Sequence, residues 1–581
     1  MIKNKLKSII SGRYPDIDFD ILIPPDEKMG DYSTNAAFAL GKSAPAGRDL
    51  ASGGKEDKTP MEVGEELASE LSKDKDLAGI FEKIETVKPG FVNFYLNKKF
   101  VQEQLVKIYE DGDSYGTSKI GAGKTVIVDY SGTNIAKPMH VGHLRSTIIG
   151  DGLANVYEAL GYKVIRWNYI GDWGTQFGKL IAAYKMWGDD KELKKEPIQT
   201  MLDLYVRFHD GLKNNPELES RGREEFKKLE EGDTENRKLW ETFRDYSLKE
   251  FDGVFKQLNI KFDVTKGENG YEEVIGETLK LIEQKGILNK SEGADIVELD
   301  NLPPAMLRKS DGATLYMTRD IASLEDRIKN YHADKILYVV ANQQALHFEQ
   351  LFAIAKILDF AKTVLVHVKF GMVLGEDGKK LATREGKVIS LQGVIDNIVA
   401  LAGKVVREKN PGLSEKESDK IAKAVGIGAL KYNDLKQHPH TDIVFDWKAM
   451  LDISGNSGPY LQYAYARLAS ILEKANRLAP TGDRKNSDTS LLNEPEEEKL
   501  MKRLLEFPDA VEKCAELNAL NGLALYLYEL SNDANRFYES VRVLEDENIG
   551  RRDARLMLVE TVAAVLEKGL NLLGISAVKR I

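Results

Sequence analysis

Ser131-Gly-Thr-Asn-Ile-Ala-Lys-Pro-Met-His-Val-Gly-His143 is the stretch from which the fold can be read. Before it, Thr125-Val-Ile-Val-Asp-Tyr130 is a short apolar run with the pattern of a buried strand. After it, Leu144, Ile148, Leu153, Val156 and Leu160 recur at helical spacing as far as Gly161, a natural helix stop. Tyr162-Lys-Val-Ile-Arg-Trp-Asn-Tyr-Ile170 supplies a second strand, and the pieces make a β-α-β unit. Such units bind ligands at the carboxyl ends of their strands, where the helix N-terminus offers free N–H groups and positive potential to phosphate. His140 and His143 share one helix face at that corner, with Gly142 between them. Two imidazoles can donate hydrogen bonds to a phosphoryl group in transfer, and Gly142 lets a flat base approach the backbone. No Gly-rich dinucleotide fingerprint accompanies them, so the corner suits ATP.

Plainer readings of the histidines are open to argument. A zinc helix of the His-Glu-x-x-His type needs wider spacing and a glutamate, and the single cysteine, Cys514, leaves no Cys-rich zinc site. Two satisfied core histidines are the other alternative. Lys137, Arg145 and two glycines at a corner where anions bind weigh against it. Gly121-Ala-Gly-Lys-Thr125 is no P-loop: Ser118 stands where its first glycine belongs, and Thr125 opens a strand where a helix is required.

Outward from the corner, the length of 581 residues suggests three or four domains. An apolar share of 42% and a charged share of 30% describe a globular chain with ample core. No stretch approaches the ~20 apolar residues of a membrane span. The start, Met1-Ile-Lys-Asn-Lys-Leu-Lys7, lacks the apolar region and cleavage site of a signal peptide. One cysteine rules out an internal disulfide framework and fits a reducing, cytoplasmic setting. The net charge of −10 argues against gross nucleic-acid binding, though not against a local basic face.

Residues 1–118 are expected to form a compact α+β domain. In it Gly30-Asp-Tyr-Ser-Thr-Asn35 leads into an Ala-rich helix, residues 43–59 form a surface loop, and Val87-Lys-Pro-Gly-Phe-Val-Asn-Phe-Tyr-Leu96 is a turn plus an alternating strand. Residues 119–395 carry the β-α-β unit, with further strands at Lys335-Ile-Leu-Tyr-Val-Val340 and Thr363-Val-Leu-Val-His-Val368. The charged, helical residues 185–260 read as an inserted subdomain. Residues 396–581 are helical almost throughout, broken by a disordered-looking loop at 479–498. No internal repeat is present.

With these motifs in place, the chain resembles the class I aminoacyl-tRNA synthetases, and among them the arginyl-tRNA synthetase family. His140-Val-Gly-His143 matches the class signature His-Ile-Gly-His. Asp129-Tyr-Ser, Asn134-Ile-Ala-Lys-Pro-Met-His and Gly142-His-Leu-Arg-Ser-Thr-Ile-Ile-Gly-Asp151 follow the arginyl pattern. The likeness continues through Gly171-Asp-Trp-Gly-Thr-Gln-Phe-Gly178, Tyr316-Met-Thr-Arg-Asp320 and Gln344-Ala-Leu-His-Phe348. It ends in Gly458-Pro-Tyr-Leu-Gln-Tyr-Ala-Tyr-Ala-Arg467 and Gly569-Leu-Asn-Leu-Leu-Gly-Ile575, so it covers essentially the whole chain. A lone His-x-Gly-His is moderately specific; the ordered set is highly so. The family's Lys-Met-Ser-Lys-Ser loop stands here as Lys380-Leu-Ala-Thr-Arg384, with Thr383 in place of the second lysine.

The resemblance implies an α/β Rossmann-type catalytic core with a helical insertion, an N-terminal α+β added domain and a C-terminal all-α anticodon-binding domain. It implies an arginine–tRNA ligase acting through arginyl-adenylate, with ATP as substrate, Mg²⁺ on its phosphates and no zinc. L-arginine and tRNA(Arg) are its partners, and a monomer with no membrane association is expected. His140, His143, Lys137, Lys380 and Arg384 are the implied catalytic groups, Lys137 supplying the charge of the absent second lysine. Gly142, Met372 and Lys380 join the two histidines around ATP. A guanidinium is a planar fork of donors and wants carboxylates placed for paired hydrogen bonds. Asp129 and Asp320 match the family's guanidinium contacts, Tyr316 would pack on the stem or the guanidinium plane, and Asn134, Gln344 and His347 match groups near the amino-acid head. Phe91 and Asn93 match residues that stack on and hydrogen-bond an unstacked base of the tRNA elbow. Tyr460, Tyr463 and Arg467 share a helix face suited to splayed anticodon bases. The end, Ala577-Val-Lys-Arg-Ile581, departs from the family's usual Pro-Glu-Arg-Met, so the contacts of those residues are not implied.

Two rivals remain. A small-acid adenylating ligase of the same fold would not need two flanking RNA-reading domains. A silent, RNA-binding paralogue is opposed by intact His140, His143 and Lys380.

Overall fold

The structure, a computed structural model, describes residues 2–42, 58–310, 312–360, 362–375, 377–379, 390–478 and 484–581. The chain forms two compact units: Met1–Gly116 with Ala464–Val511 and Tyr526–Lys568, and Thr117–Tyr463 with Glu512–Leu525 and Gly569–Ile581.

The second unit is organised around a five-stranded parallel sheet in the order Val364–Phe370, Lys335–Ala341, Thr125–Asp129, Lys163–Asn168, Val264–Thr265. Thr125 lies opposite Lys163, and Asp129 lies opposite both Trp167 and Tyr338. The central strands are buried on both faces, which explains their unbroken apolar runs: Val126, Ile127, Val128, Ile336 and Leu337 are all 0% exposed. The chain leaves Thr125–Asp129 toward one neighbour and reaches the other only at residue 335. The strand order therefore reverses beside Asp129, and ligands of open α/β sheets sit at that reversal.

The expected helix is Val141–Ala159, and it stops at Gly161, whose φ of +84 suits a residue without a side chain. A Cβ at Gly161 would stand 2.8 Å from the Ser118 carbonyl oxygen. The insertion is helical as expected, in five segments from Thr175–Trp187 to Thr234–Gln257. Among them, Pro197–Leu212 and Thr234–Gln257 turn apolar faces inward through Met201, Leu204 and Phe208, and through Trp240, Phe243 and Phe251.

Three differences from the sequence reading stand out. An antiparallel three-stranded sheet, Leu288–Ser291, Ala294–Leu299 and Leu302–Arg308, went unforeseen. Its strands are short, and one carries the pair Pro303-Pro304, which ordinarily argues against a strand. The expected boundary at 395 falls inside the helix Leu391–Lys409, which starts about one turn earlier where the Ser390 hydroxyl caps the Gly393 N–H. The supposedly disordered stretch lies partly outside the described residues. From Arg484 onward it is ordered, as two 3-10 turns and the start of the helix Pro495–Leu505. Buried Arg484, ion-paired with Glu560, anchors it.

In the first unit a four-stranded antiparallel sheet runs Ile21–Leu22, Tyr32–Thr34, Phe91–Leu96, Phe81–Val87. The helix Pro60–Ser72 starts with a reciprocal cap between Thr59 and Glu62 and a proline in its first turn. Phe91–Leu96 is buried along most of its length and does not alternate, because it is an inner strand. The loop expected at 43–59 lies almost wholly outside the described residues. The rest of this unit is helical, including Pro495–Leu505 and most of Asn521–Ser540 and Ile549–Leu572. Among the described residues no helix is long and apolar enough to cross a membrane.

Ile336→Ala tests where the core lies. Removing a fully buried isoleucine from the inner strand should destabilise the second unit by about 2–5 kcal/mol, seen as a lower denaturant midpoint. A change below about 1 kcal/mol would show that the sheet is not the stabilising centre.

Candidate active site

The turn between Asp129 and Val141 is held open by main-chain conformations that side-chain-bearing residues rarely adopt: φ is +75 at Ser131 and +61 at Ala136. Each is pinned by a serine. The Ser131 N–H donates to Ser146 Oγ, 2.9 Å away, and that hydroxyl donates to the Val339 carbonyl at 2.6 Å. The Ala136 N–H donates to Ser247 Oγ at 2.9 Å, and Ser247 donates on to Phe243 O at 2.7 Å. Asn134 is exposed and pairs as a parallel bridge with Gly171, where a Cβ would stand 2.0 Å from the Asn134 amide oxygen.

At the helix start the two histidines cap each other. His140 is the N-cap, in extended conformation, and its Nδ1 accepts the Gly142 N–H at 3.1 Å. His143 Nδ1 accepts the His140 N–H, also at 3.1 Å. This is the capping-box pattern with imidazoles in place of the usual hydroxyl and carboxylate. An acceptor nitrogen carries no proton, so in the neutral ring the proton sits on Nε2. Both rings, with centroids 3.9 Å apart, therefore offer an Nε2–H donor. Burial, reinforced by His140, depresses the His143 pKa to about 3, so the ring is neutral through the physiological range. The space above Gly142 is already used: a Cβ there would meet His140 Cε1 at 2.9 Å. The glycine thus makes room for the histidine ring, where the sequence suggested room for a base.

Lys137 is half-buried, with its ammonium 5.0 Å from the centre of the Tyr205 ring. Lys380 and Arg384 lie outside the described residues. The chain on either side of them is anchored. Gly371 N–H donates to Pro439 O at 3.0 Å, and exposed Met372 donates its N–H to Asp442 Oδ1 at 2.6 Å. Gly375 and Lys379 close a turn at 2.8 Å. On the far side Ser390 pairs with His140, and the Leu391 N–H donates to Met139 O at 2.8 Å.

At the strand-order reversal the groups are acidic. Asp129 is buried, and its Oδ2 accepts from Arg327 Nη2 at 2.7 Å. Burial raises its carboxyl on balance, with Arg327 pulling against it; Arg327, opposed by its own burial, is raised by Asp129. Arg327 is 1% exposed and faces the rings of Trp167, Tyr169 and Tyr338 at 4.7, 5.6 and 5.3 Å. Asp320, in the second turn of Tyr316–Lys329, pairs with His347 Nε2 at 2.6 Å. Tyr316 is 58% exposed, and Gln344 is exposed just beyond the Lys335–Ala341 strand.

One residue escaped the sequence reading. Glu268 is 7% exposed, and its Oε2 has no hydrogen-bond partner. Burial foremost, with Asp320 and Asp172 adding to it against Arg319, raises its pKa to about 8. It is positioned by Asp172, itself buried, whose Oδ1 accepts the Asn269 N–H at 2.9 Å. A glutamate in a Gly-Glu-Asn-Gly loop looks like a solvated turn in sequence. The only signal was the loop's position after a strand.

The expected RNA-facing residues are placed separately. Phe91 is half-buried, edge-on to Phe38 with centroids 5.1 Å apart, while Asn93 is 2% exposed and accepts from Ser33 Oγ at 2.6 Å. Asn93 therefore faces the sheet interior. Tyr460, Tyr463 and Arg467 are the half-exposed positions among buried neighbours on Gly458–Leu478. Arg467 donates to Asn535 Oδ1 at 2.8 Å. The divergent tail is packed, with Val578 and Ile581 against Ala402, Val406 and Val425.

Residues 104–447 match the family model described as tRNA synthetases class I (R), catalytic domain. Residues 1–96 match the arginyl tRNA synthetase N terminal domain, and 461–581 the DALR anticodon binding domain. The chain is 40% identical over 585 residues to the arginine–tRNA ligase of Clostridium perfringens, covering 100% of this chain and 99% of that one. It is 44% identical over 515 residues to that of Ligilactobacillus salivarius, covering 88% and 89%. Among solved structures it resembles the arginyl-tRNA synthetase of Plasmodium falciparum, with a TM-score of 0.82, 28% identity and coverage of 100% and 98%. It also resembles that of Thermus thermophilus, at 0.81, 25% and full coverage of both chains.

The neutral His143 has a consequence for acid stability. Its folded pKa lies below the unfolded value of about 6.5, so its contribution is complete above that pH and is lost as pH falls from about 6.5 toward 3. His143→Gln should flatten the fall of melting temperature over that interval. Parallel curves for the variant and the parent would mean that His143 accepts a proton freely in the folded protein.

Proposed function

We propose, for a chain that belongs to the class I arginine–tRNA ligases, that the histidine corner holds the ATP phosphates and the acidic crevice holds the arginine side chain. The arginine carboxylate attacks the α-phosphorus of ATP; the bond to the bridging oxygen breaks, and pyrophosphate leaves. A ribose hydroxyl at the 3′ end of tRNA(Arg) then attacks the arginyl carbonyl, AMP departs with the bonding pair, and the hydroxyl proton is released. No covalent enzyme intermediate is required.

The observation that carries this reading is the placement of the two histidine protons. With both Nδ1 atoms spent on main-chain N–H groups, His140 and His143 present Nε2–H donors at a helix N-terminus, where charge accumulates on phosphoryl oxygens. Lys137 adds a cation from the preceding turn, and Lys380 and Arg384 supply the remainder from the loop that rejoins the fold beside His140. Gly142 and Met372 border the nucleotide. The corner offers N–H and ammonium donors, which fit phosphate oxygens and not a cation, so Mg²⁺ is held by ATP itself. When bound it neutralises phosphate charge.

For arginine, Asp320 and Glu268 are the guanidinium-facing carboxylates, and Asp129, expected to share that role with Asp320, is engaged by Arg327 instead. Tyr316 lays its exposed ring along the side chain, His347 orients Asp320, and Asn134 and Gln344 receive the amino-acid head. Residues 1–118 take the tRNA elbow through Phe91, with Asn93 setting the strand behind it. Residues 396–581 read the anticodon through Tyr460, Tyr463 and Arg467. A cytoplasmic monomer accompanies this reading.

Pyrophosphate exchange across the amino acids, with and without tRNA(Arg), tests the whole. Exchange should occur with arginine and depend on tRNA. Exchange with another amino acid, or none under any condition, defeats the proposal.

Asp320→Asn should raise the KM for arginine strongly and leave that for ATP nearly unchanged, because charge-assisted hydrogen bonds of about 1.5–3 kcal/mol are lost. In the parent enzyme arginine affinity should improve as pH rises through about 8, where Glu268 ionises. Glu268→Gln should abolish that improvement. A parent KM that is flat between pH 6.5 and 9 would place Glu268 outside the pocket.

A further inference from the structure

Lys137 follows a residue whose backbone is held in a rare conformation, and both the constraint and the lysine's side-chain contact come from the helical insertion. Ala136 adopts φ +61, which a residue with a Cβ keeps only when its surroundings impose it. What imposes it is Ser247 on Thr234–Gln257, 0% exposed, whose hydroxyl accepts the Ala136 N–H at 2.9 Å while donating to Phe243 O at 2.7 Å. The hydroxyl is thereby fixed in direction. One residue later, the Lys137 ammonium lies 5.0 Å from the centre of the Tyr205 ring, on the neighbouring insertion helix Pro197–Leu212. Tyr205 is itself packed on His209, with ring centroids 4.5 Å apart.

From this arrangement we infer that Tyr205 and Ser247 are positioning residues for adenylate formation: they hold the backbone and the ammonium of Lys137 where the charge of the transferring phosphates develops. The inference rests on the reading of Lys137 as a phosphate-binding cation. An aromatic face suits the task better than a carboxylate would. It aims the ammonium without neutralising it, so the full charge stays available to phosphate. A lysine on a four-carbon stem otherwise loses much of its value to disorder. The insertion, which carries neither His140, His143 nor an acidic pocket residue, thus takes part in the chemistry through one cation. In a chain whose phosphate loop has Thr383 where the class has a second lysine, that cation carries more of the charge.

The experiment is tRNA-dependent, arginine-dependent pyrophosphate exchange on the full-length enzyme, with kcat and KM resolved. Lys137→Met should lower kcat by about tenfold or more with little change in the KM for arginine. Tyr205→Leu and Ser247→Ala should each lower kcat by about three- to tenfold, whereas Tyr205→Phe, which keeps the ring, should restore most of the rate. Lys137→Met combined with Tyr205→Leu should be no slower than Lys137→Met alone, because the tyrosine acts only through the lysine. Ala136→Gly separates positioning from folding. Glycine accepts the positive φ and keeps the main-chain bond to Ser247, so melting temperature and kcat should both hold, in contrast to the kcat loss in Ser247→Ala. Wild-type kcat in Tyr205→Leu and Ser247→Ala, beside a slow Lys137→Met, overturns this inference and leaves the reading of Lys137 intact. Losses that simply multiply in the double variant overturn it as well. A wild-type rate in Lys137→Met removes the reading of Lys137, and this inference falls with it.

Discussion

His140 and His143 each accept a main-chain N–H on Nδ1, and the rest of the phosphate corner is arranged around that exchange. The two bonds satisfy orphan donors at the start of the Val141–Ala159 helix, set the ring planes, and leave the proton of each neutral ring on the outward nitrogen. Capping, which usually contributes only to stability, here also orients the two imidazoles proposed to act on ATP. Gly142 is required because His140 folds back over it. Burial that keeps His143 neutral also keeps it a directional donor, where a charged ring would be a general attractor for anions.

The helix is held in place by buried charge. Arg145, 0% exposed, pairs with Asp434 at 3.1 Å and donates to the carbonyls of Thr441 and Pro439 at 2.9 and 3.3 Å. Pro439 in turn accepts the Gly371 N–H, and Asp442 accepts that of Met372. One guanidinium thus ties the histidine helix to the segment that leads into Lys380. Such a pair adds little net stability when it replaces well-packed apolar groups, but removing one partner strands a buried charge. Its use is geometric, since it keeps the histidine helix and the segments at Pro439 and Thr441 in one frame.

Charge is also separated across the site. Donors and cations collect at the histidine corner, while Asp129, Asp320 and Glu268 gather at the strand-order reversal. The enzyme's own Arg327 shows how that region holds a guanidinium: a carboxylate at 2.7 Å and aromatic faces on the remaining sides. Asp320 with Tyr316 repeats the combination nearer the surface. Within the crevice Arg327 is the internal cation that opposes the upward pull of burial on Asp129.

The strands, the histidine helix and the helical insertion were legible in the sequence because each is written in local periodicity and punctuation. His140, His143, Asp320 and Tyr316 stood out as candidates because they lie in ordered motifs. Other features were decided only by tertiary structure. Glu268 sits in a turn-like sequence and becomes a buried acid with a raised pKa in a loop seated by Asp172, far off in sequence. Arg327 and Asp129 are separated by 198 positions and meet only once the sheet has formed. Asn93 lies inside the sheet because its strand is an inner one, and strand order cannot be read from a strand's own residues. The sheet at 288–308 was hidden by its prolines, and the boundary near 395 by a helix whose cap, Ser390, is bound to the histidine corner. Periodicity and caps report interactions within a few residues of one another. Burial, proton affinity and charge pairing depend on groups that arrive from anywhere in the chain, and those were settled by the fold.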